Sequence, residues 1–262
     1  MMHSPAMVFT AHRFRSERRT GLFWLIGFVI YASLIVSVFP SVKGVIDAEE
    51  LPLRLRLAFN FASFDQLSGF LGTELMGVIM PILLPFFGII MLSFAVAGAE
   101  ERGRLDLILA NPLPRRAIVL GSTAVAWIWL FAITTSTGVT IKMMAIILNI
   151  EIGTRTAILG AFALWPLAIA FSALAMLLSA ICRQRSTALA VTGAIVLISY
   201  LALVISRLVP SVDWLKYGSA FYFYGTAMTT VFWVGGALVL IGAAVVLTVC
   251  AVVMFDRRDI YA

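Results

Sequence analysis

The chain has 262 residues, of which 62% are hydrophobic and only 12% are charged, and its mean hydropathy is +1.04. This composition excludes a soluble globular domain, and two cysteines with nine prolines exclude a disulfide-rich scaffold and a collagen-like chain. Long apolar runs without a two-residue alternation also exclude a transmembrane β-barrel. The sequence therefore predicts an all-α integral membrane protein. Its formal net charge of +6 has three alternative explanations, which are binding to nucleic acid, binding to anionic lipid, and the orientation of the chain in the membrane.

Six apolar runs predict six transmembrane helices within one membrane domain that covers residues 1–262. A helix of about 20 apolar residues crosses a hydrocarbon core of about 30 Å, and no run contains Asp, Glu, Lys or Arg. The runs comprise residues 21–39, 75–97, 118–141, 157–181, 187–206 and 231–255.

The distribution of charge predicts the orientation of this bundle. Six spans place both termini on one side, and that side holds twelve basic and six acidic residues, whereas the other side holds seven of each. Because loops rich in Lys and Arg remain in the cytoplasm, we expect both termini to be cytoplasmic in a bacterial-type plasma (inner) membrane. The surplus charge is then a topology signal. It implies the lipid bilayer as a partner and no nucleic acid.

Residues 1–20 form a basic segment before the first run. Phe9 and Phe14 among four arginines are typical of an amphipathic helix at the level of the lipid headgroups, and a disordered positive flank is the alternative. The segment resembles the charged region of a signal peptide, but the apolar run after it is too long and lacks a cleavage site. We therefore expect an uncleaved signal anchor.

Prolines in the second run and threonines in the third are irregular or polar features at membrane depth. Pro81 and Pro85 lie one turn apart, and because each removes a backbone donor, they predict a kinked helix. Thr134 and Thr137 belong to a cluster of hydroxyls that either lines a path or forms hydrogen bonds within the bundle. These four residues are a candidate substrate path, with ordinary packing and a bend as the alternative.

The loop at residues 98–117 is too long for a turn between two runs. Leu105, Ile108, Leu109 and Pro112 follow the i, i+3, i+4, i+7 spacing of an apolar helix stripe. Acidic residues at the start of such a helix favour its dipole, and Pro112 ends it. This short amphipathic helix must bury its stripe against headgroups, against the bundle or against a protein partner.

The segment at residues 207–230 concentrates aromatic side chains before the sixth run. It contains Trp214, Tyr217, Phe221, Tyr222, Phe223 and Tyr224. Aromatic residues are enriched at membrane interfaces, so this segment is predicted to be interfacial or re-entrant at the outer face.

The six runs lack the ionisable groups that an ion-coupled transporter places inside its bundle. The sequence also lacks HExxH and GxSxG, which would indicate an intramembrane hydrolase, and it lacks the P-loop motif GxxxxGK[ST]. We therefore expect no catalytic residue, metal or cofactor in this chain. If the chain moves a solute uphill, the energy must come from a partner outside the bilayer.

The loop sequence resembles a known family. Residues 100–109, Glu-Glu-Arg-Gly-Arg-Leu-Asp-Leu-Ile-Leu, with Pro112 and Arg115, are similar to the E-E-x-G-T-L-D-L-L-L-S-x-P-x-S-R segment of ABC-2 type exporter permeases. The aromatic residues at 59–64 and 214–224 and the tail at 256–259 also resemble that family in order and spacing. Arg104 and Pro114 replace its usual Thr and Ser, which puts the capping and the exit of the helix in doubt.

The resemblance implies a half-size permease with six helices, whose ATPase is a separate polypeptide. Two permease copies, identical or closely homologous, would pair and dock on two ATPase subunits that bind ATP and Mg. The loop at 100–116 would be the coupling helix that contacts the ATPase, through the matched positions Glu101, Gly103, Leu105, Asp106, Leu109, Pro112 and Arg115. Export of a small amphiphilic or lipid-like substrate follows only by analogy with the family.

A membrane scaffold subunit that recruits a cytosolic partner without transporting anything is the alternative. The same loop would then serve as the docking site of that partner. A secondary transporter or channel would need an intramembrane ionisable group or a charged ring, so it is disfavoured.

Overall fold

The computed structural model describes residues 5–43, 66–103, 105, 114–225, 228 and 232–258. Within these ranges every regular element is a helix, and six are long and apolar enough to cross a membrane. This confirms the predicted all-α bundle of six spans. We number them spans 1 to 6: Pro5–Val42, Leu67–Ser93, Arg115–Ile147, Thr154–Ile181, Arg185–Leu208 and Val234–Arg257. The shorter helices are Ala97–Glu101, the 3-10 helix Pro210–Gly218 and Ala220–Tyr224.

Spans 2, 3 and 4 form the centre of the bundle. In an 18-residue apolar window, 61%, 67% and 72% of their residues are buried, compared with 22%, 33% and 28% for spans 1, 5 and 6. Small residues permit the close packing at the centre, because a Cβ atom on Gly88 of span 2 would lie 2.7 Å from the Cβ of Ser172 in span 4. The peripheral spans expose large apolar side chains such as Phe23, Ile198 and Leu238, which suits contact with lipid or with another subunit.

Span 1 begins well before the first apolar run. The basic segment is not a separate helix, because residues 5–20 are the first part of one continuous 38-residue helix that ends at Val42. Aromatic packing holds this part against span 3, where the rings of Phe14 and Trp129 stack with centroids 5.3 Å apart. Gly21 lies directly beneath the same indole, since a Cβ there would come within 2.4 Å of the Trp129 ring.

Span 2 is irregular in the half that precedes its prolines. An α-helix at Leu67–Thr73 is followed by a π-helix at Glu74–Ile79 and then by an α-helix at Met80–Ser93. In the π-helix the N–H of Met80 donates to the carbonyl of Leu75, five residues earlier. A π-helix therefore leads into Pro81, and the kink expected from the two prolines stays a prediction.

The ends of the spans define two faces of the bundle. Ser179 near the end of span 4 donates to the carbonyl of Ser93 at the end of span 2, and Arg258 beyond span 6 donates to the carbonyl of Ala180. These ends, with the loop that follows span 2, form what we call the loop face. The 3-10 helix Pro210–Gly218 and the turn between spans 3 and 4 belong to the opposite face.

Candidate functional site

Ser179 of span 4 holds the chain where it leaves span 2. Its Oγ accepts hydrogen bonds from the backbone N–H groups of Ala97, at 3.0 Å, and Val96, at 3.4 Å, and it donates to the carbonyl of Ser93, at 3.3 Å. The first N–H groups of a helix have no partner within the helix, so Ser179 caps the short helix Ala97–Glu101 from a neighbouring span. Because its one donor and two acceptor sites are all used in a fully buried position, this contact fixes the start of the loop.

Glu100 and Arg258 form an ion pair across the loop face. Nη2 of Arg258 lies 2.7 Å from Oε2 of Glu100 and donates a hydrogen bond to Oε1, 2.9 Å away. The side chain of Glu100 is only 26% exposed and that of Arg258 only 13%, so water screens this pair less than an exposed one. Nη1 of Arg258 donates to the carbonyl of Ala180, at 3.2 Å, and to that of Cys182, at 3.5 Å. One guanidinium therefore joins the loop, the end of span 4 and the end of span 6.

Arg115 approaches the same place from the far end of the loop. Its Nη1 donates to the carbonyl oxygens of Phe255, Asp256 and Arg258, at 3.2, 3.3 and 2.7 Å. The last carbonyls of a helix have no partner within it, and a cation there interacts favourably with the helix dipole. Arg115 therefore caps span 6, and both flanks of the loop meet at the end of that span.

Glu101 connects the loop with span 5. Its Oε2 accepts a hydrogen bond of 3.3 Å from the backbone N–H of Arg185, the first residue of that span. Gln184, the residue before the span, makes no side-chain cap of its own, so a carboxylate from the loop supplies one at the positive end of the helix. The guanidinium of Arg185 in turn covers the ring of Phe94, 3.3 Å from its centroid.

The predicted coupling residues divide between anchored positions and positions outside the described residues. Glu101 and Arg115 contact spans 5 and 6 as above. Leu105 is 1% exposed and belongs to the hydrophobic core. Gly103 has a φ of +62°, a left-handed conformation that glycine adopts without strain. The helical stripe itself remains a prediction, because Ile108, Leu109 and Pro112 lie outside the described residues. Asp106, another of the matched coupling positions, also lies outside them.

Glu100 and Glu101 are the last residues of the short helix Ala97–Glu101, which precedes the predicted amphipathic helix. Their carboxylates contact Arg258 and the N-terminus of span 5, respectively.

Sequence reasoning missed three anchors of the loop: Glu100, Ser179 and Arg258. The sequence offered only weak indications of them, namely a hydroxyl near the end of span 4 and opposite charges at the ends of spans 2 and 6. Only the packing of the spans shows that these residues contact one another.

The four residues of the candidate substrate path are all buried. The hydroxyl of Thr134 donates to the carbonyls of Leu130 and Phe131, and that of Thr137 donates to the carbonyl of Ile133. Both threonines therefore bond to their own helix. Their role in a path, like that of Pro81 and Pro85, remains a prediction.

Tyr224 provides a polar contact near the opposite face. Its hydroxyl donates a hydrogen bond of 3.1 Å to the carbonyl of Met76, inside the π-helix of span 2. In the five-residue register of that helix, the carbonyl of Met76 would pair with the N–H of residue 81, but Pro81 has none. Burial raises the pKa of the Tyr224 phenol, so the hydroxyl keeps its proton and serves as the missing donor.

The aromatic segment before span 6 therefore has two parts. Phe221 and Tyr224 are buried in the bundle, whereas Trp214 and Tyr217 are exposed. The exposed pair suits the predicted interfacial position, and the buried pair is part of the core.

A cavity of about 950 Å³ opens at the opposite face between the ends of spans 1 to 4. Apolar Phe39 and Leu67 line it together with Lys43, Lys142 and Glu151. Lys142 is held there by a hydrogen bond of 3.0 Å from its Nζ to the carbonyl of Ile152. The cavity thus combines apolar walls with charged groups.

Comparison with known proteins gives one family. A family model described as ABC-2 family transporter protein matches residues 7–260, nearly the whole chain. No curated protein matched the sequence.

Proposed function

The chain belongs to the ABC-2 transporter family and is a multi-pass membrane component of an ABC transporter, and we propose that it exports a small amphiphilic or lipid-like substrate. The energy would come from a separate ATPase that docks on residues 100–116. The observation that carries this proposal is the anchoring of that loop. Through Ser179, Glu101 and the Glu100–Arg258 pair it contacts the ends of spans 4, 5 and 6.

This anchoring supports a mechanical role for the loop. A partner that displaces residues 100–116 pulls on span 5 through the exposed contact of Glu101, and on spans 4 and 6 through the buried or partly buried contacts of Ser179 and Arg258. Such contacts resist separation more than exposed ones do, because breaking one leaves a polar group with no partner and little water. The displacement therefore reaches the bundle as a movement of the spans.

The proposed orientation puts the loop face in the cytoplasm, where ATP is available, with both chain termini on that side of a bacterial-type plasma (inner) membrane. The basic residues of the loop face support this orientation. We propose two ATPase subunits and two permease copies, the second copy being identical or a close homologue. The exposed apolar faces of spans 1, 5 and 6 offer surface for that second copy.

In this account the chain performs no covalent chemistry. ATP and Mg would be bound by the ATPase subunits, and ATP-driven closure of those subunits would close the loop face and open the opposite one. The amphiphilic substrate is suggested by the mixed lining of the cavity at the opposite face. A path along Pro81, Pro85, Thr134 and Thr137 would lead toward that face.

Purification of the complex from its host tests the proposal. The wild-type chain should retain a P-loop ATPase, identified by mass spectrometry, and the purified complex should hydrolyse ATP. Glu101→Lys should weaken retention of the ATPase and reduce ATP hydrolysis several-fold, because it reverses the charge of an exposed loop residue. Arg155→Glu, a charge reversal of an exposed residue on the opposite face that is not among the residues lining the cavity, is the control and should have no effect. A retained partner without ATPase activity would contradict the proposal and favour a non-transporting scaffold.

A further inference from the structure

We propose that Arg258 is a positioning residue that makes the loop after span 2 and the end of span 6 move as one body. This inference rests on the proposed coupling function of the loop, and it names the joint through which the movement of the loop reaches span 6.

Arg258 contacts every part that such a joint must connect. Its Nη2 binds the carboxylate of Glu100 on the near flank of the loop, and its Nη1 binds the carbonyls of Ala180 and Cys182 at the end of span 4. Its own backbone carbonyl accepts from Arg115 on the far flank of the loop, at 2.7 Å. Both flanks of one loop therefore converge on one residue.

The chemistry of these contacts requires an arginine. A planar guanidinium presents donors in a fixed fork, so one group can serve a carboxylate on one side and carbonyls on the other. A lysine at this position retains the charge but has a single nitrogen to direct at either partner. Charge alone therefore does not reproduce the joint.

Arg258 lies outside the packed part of span 6, so its role differs from that of a residue that only stabilises the bundle. Spans 4 and 6 pack extensively against each other, and span 6 buries the apolar residues Leu240, Ala244 and Ala251 within the bundle. That packing does not depend on Arg258, which follows the last helical residue of span 6. Loss of its side chain should therefore leave the bundle folded and the ATPase bound, while the near flank of the loop, at Glu100, moves without span 6.

The test measures ATP turnover by the purified complex of the chain with its ATPase. For Arg258→Gln we expect kcat to fall at least fivefold, with KM for ATP within twofold of the wild-type value and the ATPase still bound. The kcat of Arg258→Lys should decrease by a similar factor. Arg257→Gln removes the same charge from the exposed neighbouring residue and should leave kcat unchanged.

A charge exchange provides a second measurement. Glu100→Gln should reproduce the defect of Arg258→Gln, and the double variant Glu100→Arg with Arg258→Glu should recover part of the lost kcat, because it restores an ion pair at the same place. Equal kcat in Arg258→Gln and wild type, an equal loss in Arg257→Gln, or release of the ATPase by Arg258→Gln would overturn the inference. Failure of the wild-type chain to retain any ATPase would instead contradict the proposed function.

Discussion

The phenol of Tyr224 donates a hydrogen bond to the backbone carbonyl of Met76, 3.1 Å away and 148 residues earlier in the chain. A side chain from the segment before span 6 thus satisfies a carbonyl that the π-helix and Pro81 leave without its helical partner. The contact ties the aromatic segment to span 2.

Replacing Tyr224 with Phe should destabilise the protein while keeping the ring in place. The variant leaves the Met76 carbonyl buried without that donor, which costs about 1–3 kcal/mol. Thermal or denaturant unfolding in detergent measures the loss. Tyr217→Phe removes a hydroxyl from an exposed ring and should change stability by less than about 0.5 kcal/mol. Equal stability of the two variants would mean that the Tyr224 contact contributes little.

Gly21→Ala should disturb the packing of span 1 against span 3. A Cβ at this position would lie 2.4 Å from the Trp129 ring, and overpacking of this kind costs about 1–3 kcal/mol. Gly27 lies on the same helix, and a Cβ there would meet no heavy atom of the described residues within 4 Å. Gly27→Ala should therefore be neutral or slightly stabilising, because alanine favours the helix. Equal unfolding temperatures of the two variants would contradict the close contact between Gly21 and Trp129.

Arg115→Gln should loosen the end of span 6. It removes a cation that binds three carbonyls, and the expected loss of stability is about 1–2 kcal/mol. Hydrogen exchange of the amides in the last turn of span 6 should become faster, and exchange in span 4 should not. Arg116→Gln, at an exposed neighbour, controls for the loss of charge. Unchanged exchange in Arg115→Gln would rule out the cap.

The proposed orientation predicts opposite labelling at the two faces. In a background with Cys182→Ser and Cys250→Ser, Glu151→Cys should react with a membrane-impermeant maleimide on intact cells or spheroplasts. Arg116→Cys should react only after the membrane is opened. Both residues are exposed, so accessibility within the protein does not explain a difference. The reverse pattern would place the loop face outside the cytoplasm.

The six spans were predictable from sequence because each contains an apolar run long enough to cross a bilayer. The residues at which the spans begin and end were harder to predict. The basic residues before Gly21 belong to span 1 because Phe14 packs on Trp129 in span 3, and a hydropathy run carries no information about that contact.

The anchors of the loop were beyond prediction for a similar reason. Glu100 and Arg258 are 158 residues apart, and only the packing of spans 2, 4 and 6 brings them together. Pro81 and Pro85 signalled an irregular span 2, but neither reveals a π-helix or the partner that Tyr224 provides. The loop motif itself was visible because it is local in sequence.

Site-specific photocrosslinking from the loop tests most directly the claim that an ATPase docks there. A photoreactive amino acid at Arg102, an exposed residue of the loop, should crosslink the chain to a P-loop ATPase in the native membrane. The same group at Glu151 on the opposite face should not. Crosslinking at Glu151 but not at Arg102, or crosslinking from Arg102 only to a protein without ATPase activity, would contradict the account.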